Sequence, residues 1–179
     1  VIDPGPDSDV HLAAILGACS KEQRITHILV THSHIDHSPL SSALSRATGA
    51  PIYAFGPSDA GRSDAMKACL AAGMEGGGEG IDTGFAPDIL LQNGAEITAG
   101  DQTITAWHTP GHMGNHMCFA WGRTLFCGDL VMGWGQFACV PARWGLDRFH
   151  EILRETARAR ALDHALRPRC ADHGSSRAD

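Results

Sequence analysis

T-H-S-H-I-D-H, at residues 31–37, is the stretch that decides the fold and the chemistry of this chain. It contains His32, His34, Asp36 and His37, directly after the apolar run at 25–30, which predicts a buried strand. Imidazole nitrogens and carboxylate oxygens are ligands that Zn²⁺ and similar divalent ions bind. The stretch therefore predicts a metal site at the end of a strand.

Three more candidate ligands, His112, Asp129 and His173, each follow an apolar strand further along the chain. One closed tetrahedral zinc site needs only four ligands, and the candidates exceed that number. We therefore predict two metal ions, held at strand-to-loop junctions along one sheet edge.

Composition restricts the class of protein. The 179 residues, 43% of them hydrophobic and 19% charged, suffice for one domain with a sizeable core. A net charge of −6 argues against a broadly basic surface for nucleic acid. The six cysteines include no C-x-x-C pair, so we interpret them as reduced core thiols of a cytoplasmic protein. The chain has neither an apolar run of membrane-spanning length nor a secretory leader, so we predict no membrane segment.

Strands and helices alternate in the first third of the chain, which predicts an α/β layered domain. The predicted helices begin at Asp7 or Ser8 and end near Cys19, extend from Pro39 to Thr48, and cover 146–161. The predicted strands cover 1–3, 25–31, 51–55, 89–91, 95–98, 102–107, 117–121 and 124–127, and the sequence predicts a loose segment over 56–85. Turn dipeptides N-G and G-D predict that the strands from residue 89 onward pair antiparallel.

Five motifs resemble those of the metallo-β-lactamase superfamily. They are V-I-D-P-G-P at 1–6, T-H-S-H-I-D-H at 31–37, H-T-P-G-H-M-G-N-H at 108–116, F-C-G-D-L-V-M-G-W-G at 126–135 and D-H-G at 172–174. The word G-D-L-V-M-G-W-G is similar to the LACTB2-like branch of hydrolases and endoribonucleases. The match continues in order to about residue 135; after about residue 136 we predict divergence from that branch.

The resemblance implies an αββα four-layer sandwich, with residues 1–179 as a single domain. Because the family's hairpin before V-I-D-P-G-P is absent, we expect a fragment that is incomplete at its N-terminus. The implied cofactors are two Zn²⁺, with Fe or Mn as alternatives. Asp3 would be a carboxylate that orients the ligands from behind. The implied ligands are His32, His34 and His112 for the first ion, Asp36, His37 and His173 for the second, and Asp129 between both.

This ligand set implies hydrolysis of a small-molecule substrate. Two ions about 3.5–4 Å apart can hold a hydroxide between them, and zinc lowers the pKa of its water to about 7. We expect cleavage of a thioester, ester or lactone, with Asp36 orienting the hydroxide or accepting its proton. His116 would contact substrate or protonate the leaving group, and a structural role for His116 is an equal alternative.

Two rival functions stay open. One is a metal-dependent endoribonuclease or phosphodiesterase, against which the acidic charge argues. The other is a metal-binding but inactive relative, which the altered region 136–172 favours. The sequence predicts no oligomeric state.

Overall fold

The computed structural model of the chain describes residues 1–73, 80–130 and Arg154. The predicted helix over 146–161 and the candidate ligand His173 lie outside these residues, apart from Arg154. Within the described ranges the helices are α1 (Asp9–Ala18), α2 (Leu40–Thr48) and α3 (Asp64–Ala71). The strands are β1 (Ile28–Leu29), β2 (Ile52–Ala54), β3 (Ile89–Leu90), β4 (Ala95–Ala99), β5 (Gln102–His108), β6 (Met117–Trp121) and β7 (Thr124–Phe126), followed by a 3₁₀ turn at Gly128–Leu130.

Local capping signals set the helix ends. The Ser8 hydroxyl accepts the backbone N–H of His11 at the start of α1, as a helix N-cap does. Gly49 ends α2 in the left-handed conformation, with φ of 74°. None of the residues of α1 is fully buried, and of this helix only Leu12 and Ile15 pack against the core.

Helix α3 lies in the segment that the sequence predicts to be loose, so that prediction is wrong. Ser63 caps it by accepting the N–H of Met66 at 3.2 Å. No residue of α3 is buried. A helix without a buried face has no strong apolar periodicity, which is why the pattern did not predict it.

The strands form two sheets. β1, β2 and β3 pair parallel in that order, and β4, β5, β6 and β7 pair antiparallel in chain order. The antiparallel prediction is correct for β4 to β7 and wrong for Ile89–Leu90, which pairs parallel with β2. The Asn93–Gly94 turn therefore connects two sheets instead of closing a hairpin.

Side-chain alternation along β1 separates two core clusters. Ile28 and Val30 pack with Leu44 of α2, and Leu29 points the other way, towards Ile97 and Phe119 of the second sheet. The layers therefore follow the order helix, sheet, sheet, in a mixed α/β fold as predicted. Among the described residues, no helix has the combination of length and hydropathy that crossing a membrane requires.

The cysteines that the structure describes are all free thiols. Cys118 is buried, as predicted, but Cys69 is exposed, so the prediction of core thiols is wrong for Cys69.

One backbone contact joins the two sheets at the ends of their strands. The N–H of Met117, at the start of β6, donates to the carbonyl of Thr31, just after β1, at 2.8 Å. This contact brings loops from both sheets to one edge, where the candidate ligands lie.

Candidate metal centre

The candidate ligands come from three loops that meet at this edge. His32 and His34 follow β1 and are 0% and 8% exposed. His112 lies in the loop between β5 and β6, and Asp129 lies in the 3₁₀ turn after β7. One ligand atom from each of these four residues lies within 4.8 Å of all the others. The structure thus brings together residues that are far apart in the sequence.

Three ring nitrogens in this group face one another. Nδ1 of His34 lies 3.1 Å from Nε2 of His32 and 2.9 Å from Nε2 of His112. Nδ1 of His34 can either donate one hydrogen or accept with one lone pair, so it cannot form good hydrogen bonds to both nitrogens at once. Two nitrogens at about 2.0–2.1 Å from one zinc ion, at the tetrahedral angle, are separated by about 3.4 Å. The spacing of the three nitrogens therefore fits a shared cation.

The hydrogen bonds behind His32 fix its tautomer. The carboxylate of Asp3 only accepts, so the hydroxyl of Thr31 donates to its Oδ2 at 2.7 Å. The same Thr31 oxygen then accepts Nδ1–H of His32 at 3.0 Å. Nε2 of His32 is left with its lone pair directed into the group, as a ligand nitrogen requires.

Asp3 contacts the candidate ligands from behind. It also accepts the backbone N–H of Thr31 at 2.7 Å and Nδ1–H of His37 at 3.0 Å. Its φ of 45° is in the left-handed region, which Asp adopts more readily than most residues but at some cost in free energy. These bonds hold Asp3 in that conformation.

A second group consists of Asp36, His37 and Asp129. Nε2 of His37 lies 3.5 Å from Oδ2 of Asp36 and 3.4 Å from Oδ1 of Asp129. The other oxygen of Asp129 lies 3.5 Å from Nε2 of His112 and 3.9 Å from Nε2 of His32. Asp129 is therefore common to both groups.

Burial and neighbouring charges set opposite pKa shifts in the two groups. Burial, reinforced by the surrounding histidines, lowers the pKa of His32 and His34, so both rings are neutral, as metal ligands must be. Burial also acts to lower the pKa of His37, but the hydrogen bond and charge of Asp3, together with Asp129 and Asp36, raise it overall. Three carboxylates that favour a proton on His37 also favour a metal cation at the same place.

His116 lies in a different environment from the one that a substrate contact requires. Its side chain is 0% exposed, and its Nδ1 lies 2.8 Å from Oγ1 of Thr109. Nε2 is buried without a hydrogen-bond partner among the described residues. Burial lowers its pKa to about 3. This burial favours the structural role among those predicted for His116, and the roles themselves stay predictions.

Two polar residues of the site were not predicted as functional residues, although they lie within the motifs at 31–37 and 108–116. Thr31 precedes the ligands at the end of an apolar strand, where a buried hydroxyl needs a partner. Asn115 is 1% exposed, and its amide donates to Oγ of Ser33 at 3.0 Å. Polar residues within apolar or ligand-rich stretches were the available signal for both.

Comparison with known proteins gives one family. The family model described as the Metallo-beta-lactamase superfamily matches residues 1–169. A hydroxyacylglutathione hydrolase of Francisella tularensis subsp. novicida (strain U112) is 29% identical over 171 residues, 94% of this chain and 56% of that protein. One of Anaeromyxobacter dehalogenans (strain 2CP-C) is 30% identical over 148 residues, 82% of this chain and 46% of that protein. This chain spans about half the length of these relatives.

Solved structures agree on the fold. TTHA1623 in a di-iron-bound form has a TM-score of 0.55 and 27% identity, over 86% of this chain and 73% of that chain. The BLEG-1 B3 metallo-beta-lactamase has a TM-score of 0.56 and 24% identity, over 83% of this chain and 71% of that one. These matches do not single out the LACTB2-like branch, and the family match continues past residue 136. The chain belongs to the metallo-beta-lactamase superfamily and has its mixed α/β fold.

Proposed function

We propose that this chain is a metal-dependent hydrolase that uses two divalent ions, zinc foremost, to cleave a small acyl substrate. One observation carries the proposal: His32, His34, His112 and Asp129 place ligand atoms within 4.8 Å of one another. Asp129 also belongs to the adjacent group with Asp36 and His37, which supports a second ion.

The residues divide between the two ions as follows. His32, His34 and His112 would hold the first ion, and Asp36 and His37, with the predicted His173, the second. Asp129 would contribute one oxygen to each, because its Oδ2 faces His112 and its Oδ1 faces His37. Divalent ions bound there would activate water at neutral pH and stabilise negative charge on the oxygen of the scissile group.

The protein residues supply orientation and proton transfer. The Asp36 side chain is 46% exposed, so it can meet an incoming water, orient it and accept its proton. Asp3 holds His37 through Nδ1 and, through Thr31, holds His32. Both imidazoles therefore keep their Nε2 atoms directed at the centre without rearrangement during the reaction.

The relatives favour an acyl thioester as substrate. Their name describes hydrolysis of hydroxyacylglutathione, in which the acyl group is carried on a thiol. The net charge of −6 does not favour a polyanionic nucleic acid. We therefore place a thioester first, with an ester or a lactone next, and keep iron as an alternative metal because the TTHA1623 neighbour is di-iron-bound.

The test measures metal binding and turnover together. The chain is stripped of metal, reloaded with zinc and assayed for zinc content by mass spectrometry. Turnover is measured with a hydroxyacyl thioester of glutathione and with bis(4-nitrophenyl) phosphate. We expect the wild-type chain to bind two ions and to turn over the thioester. In His112→Ala we expect metal binding and turnover to be lost together. His27→Ala is the matched control, because His27 lies outside both groups and contacts the ring of Tyr53.

Each contrary result has a defined meaning. Phosphodiester cleavage in preference to thioester cleavage would replace the substrate class with that of a nuclease. Two bound ions without turnover of either compound would identify an inactive metal-binding relative. Failure to bind zinc, iron or manganese in a folded chain would overturn the proposal.

A further inference from the structure

We propose that His116 is a positioning residue, which, through Thr109 and Cys118, fixes the turn that presents Asp129 to the metal centre. The inference rests on the proposed function, since it concerns how one of the proposed ligands is held. It assigns a role to a buried imidazole that has no access to substrate.

A buried chain of contacts connects His116 to this turn. Nδ1 of His116 lies 2.8 Å from Oγ1 of Thr109, which lies 3.4 Å from Sγ of Cys118. The thiol of Cys118 lies 3.6 Å from the carbonyl oxygen of Cys127. Cys127 directly precedes Gly128 and Asp129, and its carbonyl also accepts the N–H of Leu130 at 3.1 Å.

The carbonyl oxygen of Cys127, as the last acceptor, sets the direction of these hydrogen bonds. A carbonyl oxygen only accepts, so the thiol of Cys118 donates to Cys127, and its sulfur is free to accept from the hydroxyl of Thr109. The Thr109 oxygen then accepts Nδ1–H of His116. Burial raises the pKa of Cys118 to about 12, so its S–H hydrogen is retained at neutral pH. Nε2 of His116 is therefore the ring atom with the lone pair.

That second nitrogen, Nε2, lies close to the same turn. A Cβ built on Gly128 would lie 2.8 Å from Nε2 of His116 and 2.8 Å from Oγ1 of Thr31. Only glycine fits there, and its φ of 47° is one that glycine adopts without penalty. His116 thus confines Gly128 by direct packing. It also holds Cys127 through a relay, which is the series of hydrogen bonds made by Thr109 and Cys118. Both residues immediately precede Asp129.

The second ion depends more on this turn than the first does. The first group contains the buried His32 and His34, whereas Asp36 of the second group is exposed and is held less firmly by packing. A small displacement of Asp129 therefore weakens the second ion more. Loss of such a supporting contact typically costs about 10–100-fold in metal affinity.

The experiment breaks the relay without touching any proposed ligand. In Thr109→Val the hydroxyl is lost but the side-chain shape is kept. We expect the second zinc to bind about tenfold or more weakly, measured by competition with a chromophoric chelator. Thr109→Ser should restore the affinity. Thr48→Val is the matched control, because its hydroxyl donates to the carbonyl of Leu44 at 2.7 Å in helix α2.

The outcomes separate this role from the proposed function. A wild-type chain that binds no metal would overturn the proposed function and this role with it. A wild-type chain with two ions and a folded Thr109→Val variant with unchanged affinity for both would overturn this role alone. If circular dichroism shows that Thr109→Val does not fold, Cys118→Ala breaks the relay at its next link, and wild-type affinity there would overturn the role. A merely structural contribution would lower the unfolding midpoint without changing the ratio of the two affinities.

Discussion

Asp129 and His37 approach each other at 3.4 Å, from Oδ1 to Nε2, across the boundary between the two candidate ligand groups. The remaining oxygen of the same carboxylate faces His112 at 3.5 Å. A carboxylate placed in this way connects a histidine from the loop after β1 with one from the loop after β5. Its removal should therefore affect both groups at once.

We expect Asp129→Ala to lose metal and activity together. Loss of a ligand should reduce metal affinity by more than the roughly 10–100-fold that follows loss of a residue that hydrogen-bonds to a ligand. Zinc content after dialysis and thioester turnover are the measurements. Asp64→Ala is the control, because Asp64 is an exposed residue of α3 that pairs with Lys67. Full zinc content in Asp129→Ala would remove Asp129 from the bridging role.

Asp3→Asn should weaken zinc binding while leaving the backbone in place. Asparagine tolerates a φ of 45° about as well as aspartate does, so the strained position is preserved. Its amide has one acceptor oxygen instead of two, so it cannot accept all the bonds from Thr31 and His37. The expected loss is about tenfold to 100-fold in zinc affinity, measured by chelator competition. Unchanged affinity would show that Asp3 does not orient the ligands.

The candidate site was more predictable from sequence than the path of the chain around it. Residues 31–37 concentrate ligand types directly after an apolar strand, so their chemistry is visible without any tertiary information. His112 and Asp129 follow strands whose ends meet at one sheet edge, and the structure brings both next to His34 and His32. His173 lies outside the described residues and stays a prediction.

The wrong predictions concern segments whose structure depends on the distant part of the chain that they pair with or pack against. Ile89–Leu90 has the composition of any short strand, and its parallel pairing depends on the position of β2, which lies more than thirty residues earlier. Helix α3 has a clear cap at Ser63 but no buried face to produce a periodic pattern. The close approach of Gly128 to His116 joins two separate loops, so the sequence around either residue does not reveal it.

Thiol reactivity should distinguish two of the described cysteines. Cys69 is exposed on α3, whereas Cys118 is buried and its pKa is raised to about 12. Alkylation proceeds through the thiolate, so Cys118 should stay unmodified in the native protein while Cys69 reacts. Mass spectrometry of peptides after brief treatment with iodoacetamide measures both, and unfolding in urea is the control that should expose Cys118. Native alkylation of Cys118 at the rate of Cys69 would contradict its burial.

The metal-free protein should lose stability as the pH falls below about 6.5, the usual pKa of histidine in an unfolded chain. Burial lowers the folded-state pKa of His116 to about 3, and burial also lowers the pKa of His32. A group with a lowered folded-state pKa stabilises the protein at pH values above its pKa in the unfolded chain. This stability is lost as the pH falls, by about 1.4 kcal/mol per pH unit for each group.

His37 has the opposite sign and does not cancel this loss. Its raised folded-state pKa gives stability that is fully present below about pH 6.5 and is lost only as the pH rises through the raised value. Between about pH 6.5 and about pH 5 the histidines with lowered pKa therefore dominate over His37. Urea unfolding of the chelator-treated protein across this window measures the slope. A free energy of unfolding that stays constant there would show that the imidazoles of His32 and His116 are not held neutral by the fold.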